Sequence, residues 1–344
     1  MPHEVIDQHW LPVVFMILMG ISLLLYVCLD GFDLGIGILM RRGNDTEKDQ
    51  MLATIAPFWD ANETWLVLGI GLLLVAFPTA HGIILGELYL PIAIMLIGLI
   101  LRGVAFDFRV KVHAKYKAIW NRLFYTGSLV SSLAQGYMLG MFIMGFDVNF
   151  VTVAFSMVIA ICFCAAYCFI GASWLLIKAS GDLHKRAIRW ARVTMRLTAL
   201  GIVIISLITP LASPRIYDKW FSMPELILLI PIPLLTAATF IGLEVFFRQF
   251  DRVAERYHNV PFIGAIIIMV MSFHGLAYSF YPYIVPEELT IWEAASAIDS
   301  LKIIFYGTII VLPTILAYTV FAHKVFAGKI SDISYDIERP REEK

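Results

Sequence analysis

Long apolar runs separated by short polar connections dominate this 344-residue chain, and they predict nine helical spans. These lie near residues 11–38, 52–77, 83–106, 123–145, 150–177, 193–212, 223–247, 260–284 and 303–326. Each approaches or exceeds the roughly 20 residues that a bilayer's hydrocarbon core demands. The pattern therefore predicts an all-α, polytopic integral membrane protein. Its helices are expected as two four-helix bundles in approximate halves 1–145 and 150–284. One extra helix follows over 303–326, and the tail 327–344 completes the chain. Gly31, Gly35 and Gly37, near the end of the first span, permit either a bend or a close helix contact.

Composition agrees with the pattern: 60% of residues are hydrophobic, 15% are charged, and the mean hydropathy is +0.80. A soluble chain of this length needs more charge to cover its surface. The net charge of −1 carries little information, but the distribution of basic residues carries much. Connections 41–51, 109–122, 178–196 and 248–256, with the C-terminal tail and Lys324 just before it, hold 22 of the 26 Lys and Arg residues. Because basic residues stay on the cytoplasmic side, this places the N-terminus outside and the C-terminus inside. Opposite connections hold acids such as Asp147, Asp218, Glu287, Glu288 and Asp299. No basic segment precedes a short apolar run and cleavage site, so the first span is expected to be retained. Cys28, Cys162, Cys164 and Cys168 all fall in apolar runs and read as small packing residues.

Candidate chemistry concentrates in IAPFWDANETWLV, where Asp60, Asn62 and Glu63 interrupt an otherwise apolar stretch beside Trp59. Ionisable groups at such depth are costly, which makes them functional candidates. With the second span starting at residue 52, Asp60 lies roughly 12 Å inside it at 1.5 Å per residue. The first and third spans bring Asp30, Asp33, Arg102, Asp107 and Arg109 toward the same end. An Arg among carboxylates keeps its charge and holds one acid ionised, while another, poorly solvated, can carry a proton. For Asp30, Asp107 and Arg109 alone, a structural ion pair at the membrane edge is the simpler reading. Asp60 and Glu63 share one helical face at greater depth and point to proton transfer.

The eight histidines offer no bis-His site on facing helices, since His274 alone lies well within a span and His323 sits near a span's inner end. Haem or copper in membrane oxidoreductases normally takes imidazole ligands. The expectation is that this chain holds no metal by itself.

Five segments then carry a resemblance: DGFDLGIGIL (30–39), IAPFWDANETWLV (55–67), AFP (76–78), LRGVAFDFR (101–109) and IWEAAS (291–296). In order and spacing they resemble subunit II of cytochrome bd quinol oxidases. The resemblance implies a bacterial cytoplasmic-membrane terminal oxidase that oxidises membrane quinol and reduces dioxygen to water, building membrane potential without pumping protons. It places haem b and haem d in a partner, subunit I, which this chain supports. It also assigns a cytoplasm-facing proton path to Asp60, with Asp33 and Arg102 nearby, and makes Trp59 a wall of that region. Some relatives add a small single-helix subunit and lodge a quinone in this subunit; lipids surround it, and no nucleic acid is implied.

Two departures stand out: WDANETW replaces the commoner WDGNQVW, adding Glu63, and GVAFDFR lacks a proline that many relatives have after LR. The connections after the fourth and sixth spans are also shorter, and together these features resemble the cyanide-insensitive branch. Glu63 either adds a second carboxylate to the path or pairs with a cation of subunit I. Two other classes compete: a secondary transporter with intramembrane carboxylates, and a scaffold that only stabilises a partner. A transporter calls for midplane substrate groups in repeat-related helices. Here the polar residues gather toward one face.

Overall fold

The computed structural model describes residues 10–250 and 255–330, so most of the predicted tail 327–344 lies outside the described residues. The described chain is almost wholly helical. The long helices are α1 (Trp10–Leu39), α3 (Trp59–Ala76), α5 (Tyr89–Lys111), α6 (Lys117–Ile143), α7 (Phe150–Lys178), α8 (Gly181–Ala212), α11 (Pro231–Arg248), α12 (Val260–Phe280) and α14 (Ile298–Val325). Shorter helices fill the connections: α2 (Asp45–Ile55), α4 (Pro78–Glu87), α9 (Pro214–Phe221), α10 (Glu225–Leu229) and α13 (Ile291–Ala294). A small antiparallel hairpin pairs β1 (Tyr283–Val285) with β2 (Leu289–Thr290).

Eight segments among the described residues are long and apolar enough to cross a membrane. The region predicted as the fourth span is α6, whose 27 residues reach about 40 Å but whose face carries Ser128, Ser131, Ser132 and Gln135. Those serines are buried against neighbouring helices, so a helix of modest hydropathy still has an apolar exterior.

Two predicted boundaries shift for local reasons. The second span does not begin at residue 52. The stretch before it is the separate polar helix α2, opened by an Asn44–Glu47 capping box, and a turn over 56–58 containing Pro57 precedes α3. Pro57 lacks the N–H that a continuous helix would use, and α3 restarts at Trp59. The other boundary that moves is at the third span, predicted to start at 83: Phe77 leaves the helical conformation, Pro78 occupies the first turn of α4, and α5 starts only at Tyr89. The end of α3 is tied down from far along the chain, because Ser296 donates through its backbone N to the Ala76 carbonyl (2.9 Å) and through Oγ to that of Val75 (2.6 Å). Thus the AFP and IWEAAS segments meet, and carbonyls orphaned at a helix end find donors.

The core is organised around α1 and α7. Residues 30–37 of α1 and 167–176 of α7 are buried on every side, as expected of helices surrounded by other helices. α1 lies against α3, α6 and α7, while α5 lies along α6 and α8 along α7. Phe32 stacks on Trp174 at 4.6 Å, and Phe58 meets the same indole edge-on at 5.8 Å. Lipid is as apolar as leucine, so helix association here depends on close packing rather than on escape from water. The glycines supply that closeness without bending α1: a Cβ on Gly35 would sit 1.8 Å from the Tyr167 carbonyl oxygen, and Gly171 faces the same crossing.

Gly35→Ala is therefore expected to lower the unfolding temperature of the purified protein, at a cost above the usual overpacking of about 1–3 kcal/mol. Gly242→Ala, whose Cβ meets nothing within 4 Å, serves as the neutral comparison. Intrinsic-fluorescence melting of both variants decides whether the crossing is as tight as described.

Candidate functional site

Where α1, α3 and α5 meet, three acids surround one guanidinium. Arg102 of α5 is fully buried and places Nη2 2.6 Å from Asp30 Oδ1 and 3.3 Å from Glu63 Oε1. Asp30 and Asp33 are also fully buried, on the C-terminal half of α1. Asp33 accepts a hydrogen bond from Asn62 Nδ2 at 2.8 Å, and the same amide reaches the Leu29 carbonyl at 3.3 Å. Trp59 covers the cluster, its ring 6.0 Å from the Arg102 guanidinium carbon and 5.1 Å from the Phe106 ring.

The backbone makes this approach possible. Gly127 of α6 has no room for a side chain, since its Cβ would fall 2.8 Å from the Arg102 backbone nitrogen. α5 is thereby pressed onto α6, and the Arg102 side chain extends inward rather than toward lipid. On the other side, Tyr26 lies one helical turn from Asp30. Its hydroxyl accepts from Gln135 Nε2 at 2.8 Å, and Gln135 Oε1 accepts from the Tyr167 hydroxyl at 2.5 Å. A polar thread thus runs from α7 through α6 to α1.

Several buried polar atoms of the cluster have no protein hydrogen-bond partner: Asp33 Oδ1, and Arg102 Nε and Nη1. Buried polar groups in such density are the setting in which internal water is found. One cation facing three carboxyl groups also leaves room for two protons before the set reaches neutrality.

The sequence-predicted residues divide in their placement. Asp33, Glu63, Arg102 and Trp59 come together. Asp60 does not join them by direct contact: it stands in the first turn of α3 and is exposed on the surface of the chain. Its depth changes because α3 starts at Trp59, so Asp60 occupies a helix N-terminus where the backbone dipole favours an anion. Glu63, one turn further along, is half-buried between Asp60 and the Arg102 pair. Within this chain the cation beside Glu63 is Arg102.

Asp30, for which the sequence favours a structural ion pair at the membrane edge, is the nearest partner of Arg102 and is fully buried. Tyr26, Asp30 and Asp33 fall at i, i+4 and i+7 on one helical face, a signal that was present. Asp107 is exposed, and Arg109 belongs to a separate rim pairing with Asp49 Oδ1 at 2.6 Å.

Four of the described histidines have close neighbours within the chain. His274 faces outward with Nδ1 2.8 Å from the Val270 carbonyl of its own helix, and His323 stacks on Phe58 at 4.5 Å. His184 and His258 approach each other, but their rings lie 4.8 Å apart at 31°, too close to hold a macrocycle between them.

Comparison with known proteins places this geometry. The family described as cytochrome bd terminal oxidase subunit II matches residues 11–326. The chain belongs to that family. Subunit 2 of the cytochrome bd-I ubiquinol oxidase of Escherichia coli (strain K12) is 27% identical over 387 aligned positions, covering 97% of this chain and 98% of the relative. The cytochrome bd ubiquinol oxidase subunit 2 of Bacillus subtilis (strain 168) is 27% identical over 338, covering 92% and 95%. A chain of the bd oxidase from Geobacillus thermodenitrificans shares the fold at a TM-score of 0.78 with 16% identity, covering 92% of this chain and 98% of that one. This subunit II is accordingly an integral membrane component of an oxidoreductase complex.

Removing Arg102 leaves buried acids unpaired, which typically costs about 3–5 kcal/mol. Arg102→Met is expected to destabilise subunit II by that order, and Arg102→Met combined with Asp30→Asn by distinctly less than the sum of the single changes. A double-mutant cycle from thermal or denaturant unfolding measures the difference.

Proposed function

We propose that this subunit II supports a haem-bearing subunit I and supplies it with protons taken from the cytoplasmic side. The complex then oxidises membrane quinol and reduces dioxygen to water in a bacterial cytoplasmic membrane. Protons consumed in that chemistry enter through this chain, so the reaction builds membrane potential without a pumping step. Haem is the partner's: it supplies the site where electrons meet dioxygen. This chain's part is to hold and move protons.

The observation that carries the reading is the graded series of acids, from exposed Asp60 through half-buried Glu63 to fully buried Asp30 and Asp33. Asp60 and Glu63 lie three residues apart on one face of α3, and Glu63 reaches the guanidinium that also holds Asp30. A proton accepted from water at the Asp60 carboxylate moves to the Glu63 carboxylate and then to the α1 acids. Arg102, always charged, offsets one carboxylate at each stage. Asn62 positions Asp33 by donating to it, and Trp59 shields the cluster from lipid.

The basic connections support the direction. Arg109, Asp49 and Lys117 form a charged rim at the end of α5 and the start of α6, on the side toward which the acids open. The transporter reading fits less well, because the charged groups within the spans gather toward that same side rather than at a midplane site.

Asp60→Asn and Glu63→Gln, expressed with the partner subunit, are each expected to lower quinol oxidase turnover by at least about tenfold, within the range for loss of a proton-transferring group. The optical spectrum of the haems is expected to stay unchanged. Lost haem would instead mark an assembly role, and full turnover in both variants would contradict the proton path.

A further inference from the structure

On the face of the molecule away from the acid cluster, an apolar groove of about 450 Å³ runs between the inner end of α1 and helices α7 and α8. Ile38, Val158, Cys162, Leu197 and Ile204 are among its walls, and Trp190 closes its inner end. Val158, Ile161, Val193, Leu197 and Leu200 are exposed along it, so the groove opens toward lipid rather than into the protein. Its polar content is slight: the Thr194 hydroxyl donates to the Trp190 carbonyl of its own helix. Such a groove repels water and accepts hydrocarbon.

One charged residue lines it: Arg42, at the end that carries the basic connections. Arg189 stands one helical turn from groove-lining Val193 on α8 and is exposed. Among the described residues neither guanidinium pairs with a carboxylate, whereas their neighbour Arg186 is occupied by Glu47 at 3.1 Å. From Trp190 to Ile204 the groove follows 14 residues of α8, about 21 Å. That equals the depth of one leaflet with its headgroup region, about half of 40–45 Å.

An occupant must therefore be apolar over one leaflet's depth and anionic at the end held by two free arginines. We infer that this groove binds an anionic phospholipid, with an acyl chain along α7 and α8 and the phosphate against Arg42 and Arg189. A quinone would satisfy the walls but leave the arginines unanswered, and an apolar helix of another polypeptide would do the same. Basic pockets between membrane helices on the cytoplasmic side commonly take such headgroups.

The test uses the assembled oxidase complex, reconstituted in nanodiscs of phosphatidylethanolamine with a minority of phosphatidylglycerol, then re-extracted in mild detergent and weighed by native mass spectrometry. The unaltered complex is expected to retain phosphatidylglycerol. Arg42→Gln with Arg189→Gln is expected to lower that retention at least about fivefold, since each interfacial cation contributes about that factor. Phosphatidylethanolamine retention is expected to stay unchanged, and Arg42→Lys with Arg189→Lys to restore phosphatidylglycerol. Ala165→Phe, which fills the groove without touching either cation, is expected to reduce retention as well. Haem spectra and turnover in detergent report that each variant complex is assembled. Equal phosphatidylglycerol retention with and without the arginines would overturn the inference. So would a quinone as the retained molecule, or a polypeptide that cross-links to Cys162.

Discussion

A guanidinium with no exposure to solvent, held 2.6 Å from an equally buried carboxylate, is the constraint around which this subunit is arranged. Neither Arg102 nor Asp30 can remain alone in hydrocarbon, because an unpaired ion there costs several kcal/mol. The pair therefore fixes α5 against α1. Everything near it follows: α6 must present glycine at position 127 to let α5 approach, α7 must present Gly171 where α1 presents Gly35, and α3 must bring Glu63 and Asn62 to the remaining polar atoms. Packing and charge are thus one problem. The glycines bring the backbones close enough for the polar groups to meet, and the polar groups give helices a reason to associate in a solvent that offers no hydrophobic drive.

The same arrangement accounts for an unequal distribution of polarity. The C-terminal halves of α1 and α7 are largely buried and carry the charges and hydroxyls, while α14 exposes Ile303, Tyr306, Ile310 and Phe321 along its length. Away from the basic connections, the chain is tied by a different set of contacts. Arg215 lies over the Tyr283 ring at 4.7 Å, Lys219 donates to the Tyr281 carbonyl at 2.6 Å, and Trp220 donates to Ser279 Oγ at 2.8 Å. These hold short helix α9 against the hairpin and the end of α12. The end that carries the buried acids is built mainly by ion pairs, and the opposite end mainly by aromatic and backbone contacts.

Much of this was legible in the order of residues. Hydropathy located every long helix, because long apolar runs have few alternatives, although α8 starts at Gly181, well before the predicted 193. It was weaker where local chemistry interrupts a run. Pro57 divides what reads as one continuous span into α2 and α3, and this moved Asp60 from the interior of a helix to its first turn. The acids show the same limit. Depth along a helix says how far a residue is from the membrane surface, and nothing of which neighbours enclose it. Asp30 looked peripheral by depth and is central by packing. Glu63 allowed two readings from sequence, and on its own chain it finds Arg102 at 3.3 Å. Tyr26, Gln135 and Tyr167, on three different helices, could be joined only by the fold.

The central claim is directional: protons enter at Asp60 and pass Glu63 to reach the buried acids. A reduced oxidase complex in proteoliposomes, triggered by a pulse of dioxygen and followed with a pH-sensitive dye on the side of the basic connections, reads that entry in a single turnover. The account predicts that Asp60→Asn slows proton uptake from that side while the preceding binding of dioxygen keeps its rate. Uptake at the unaltered rate would contradict it.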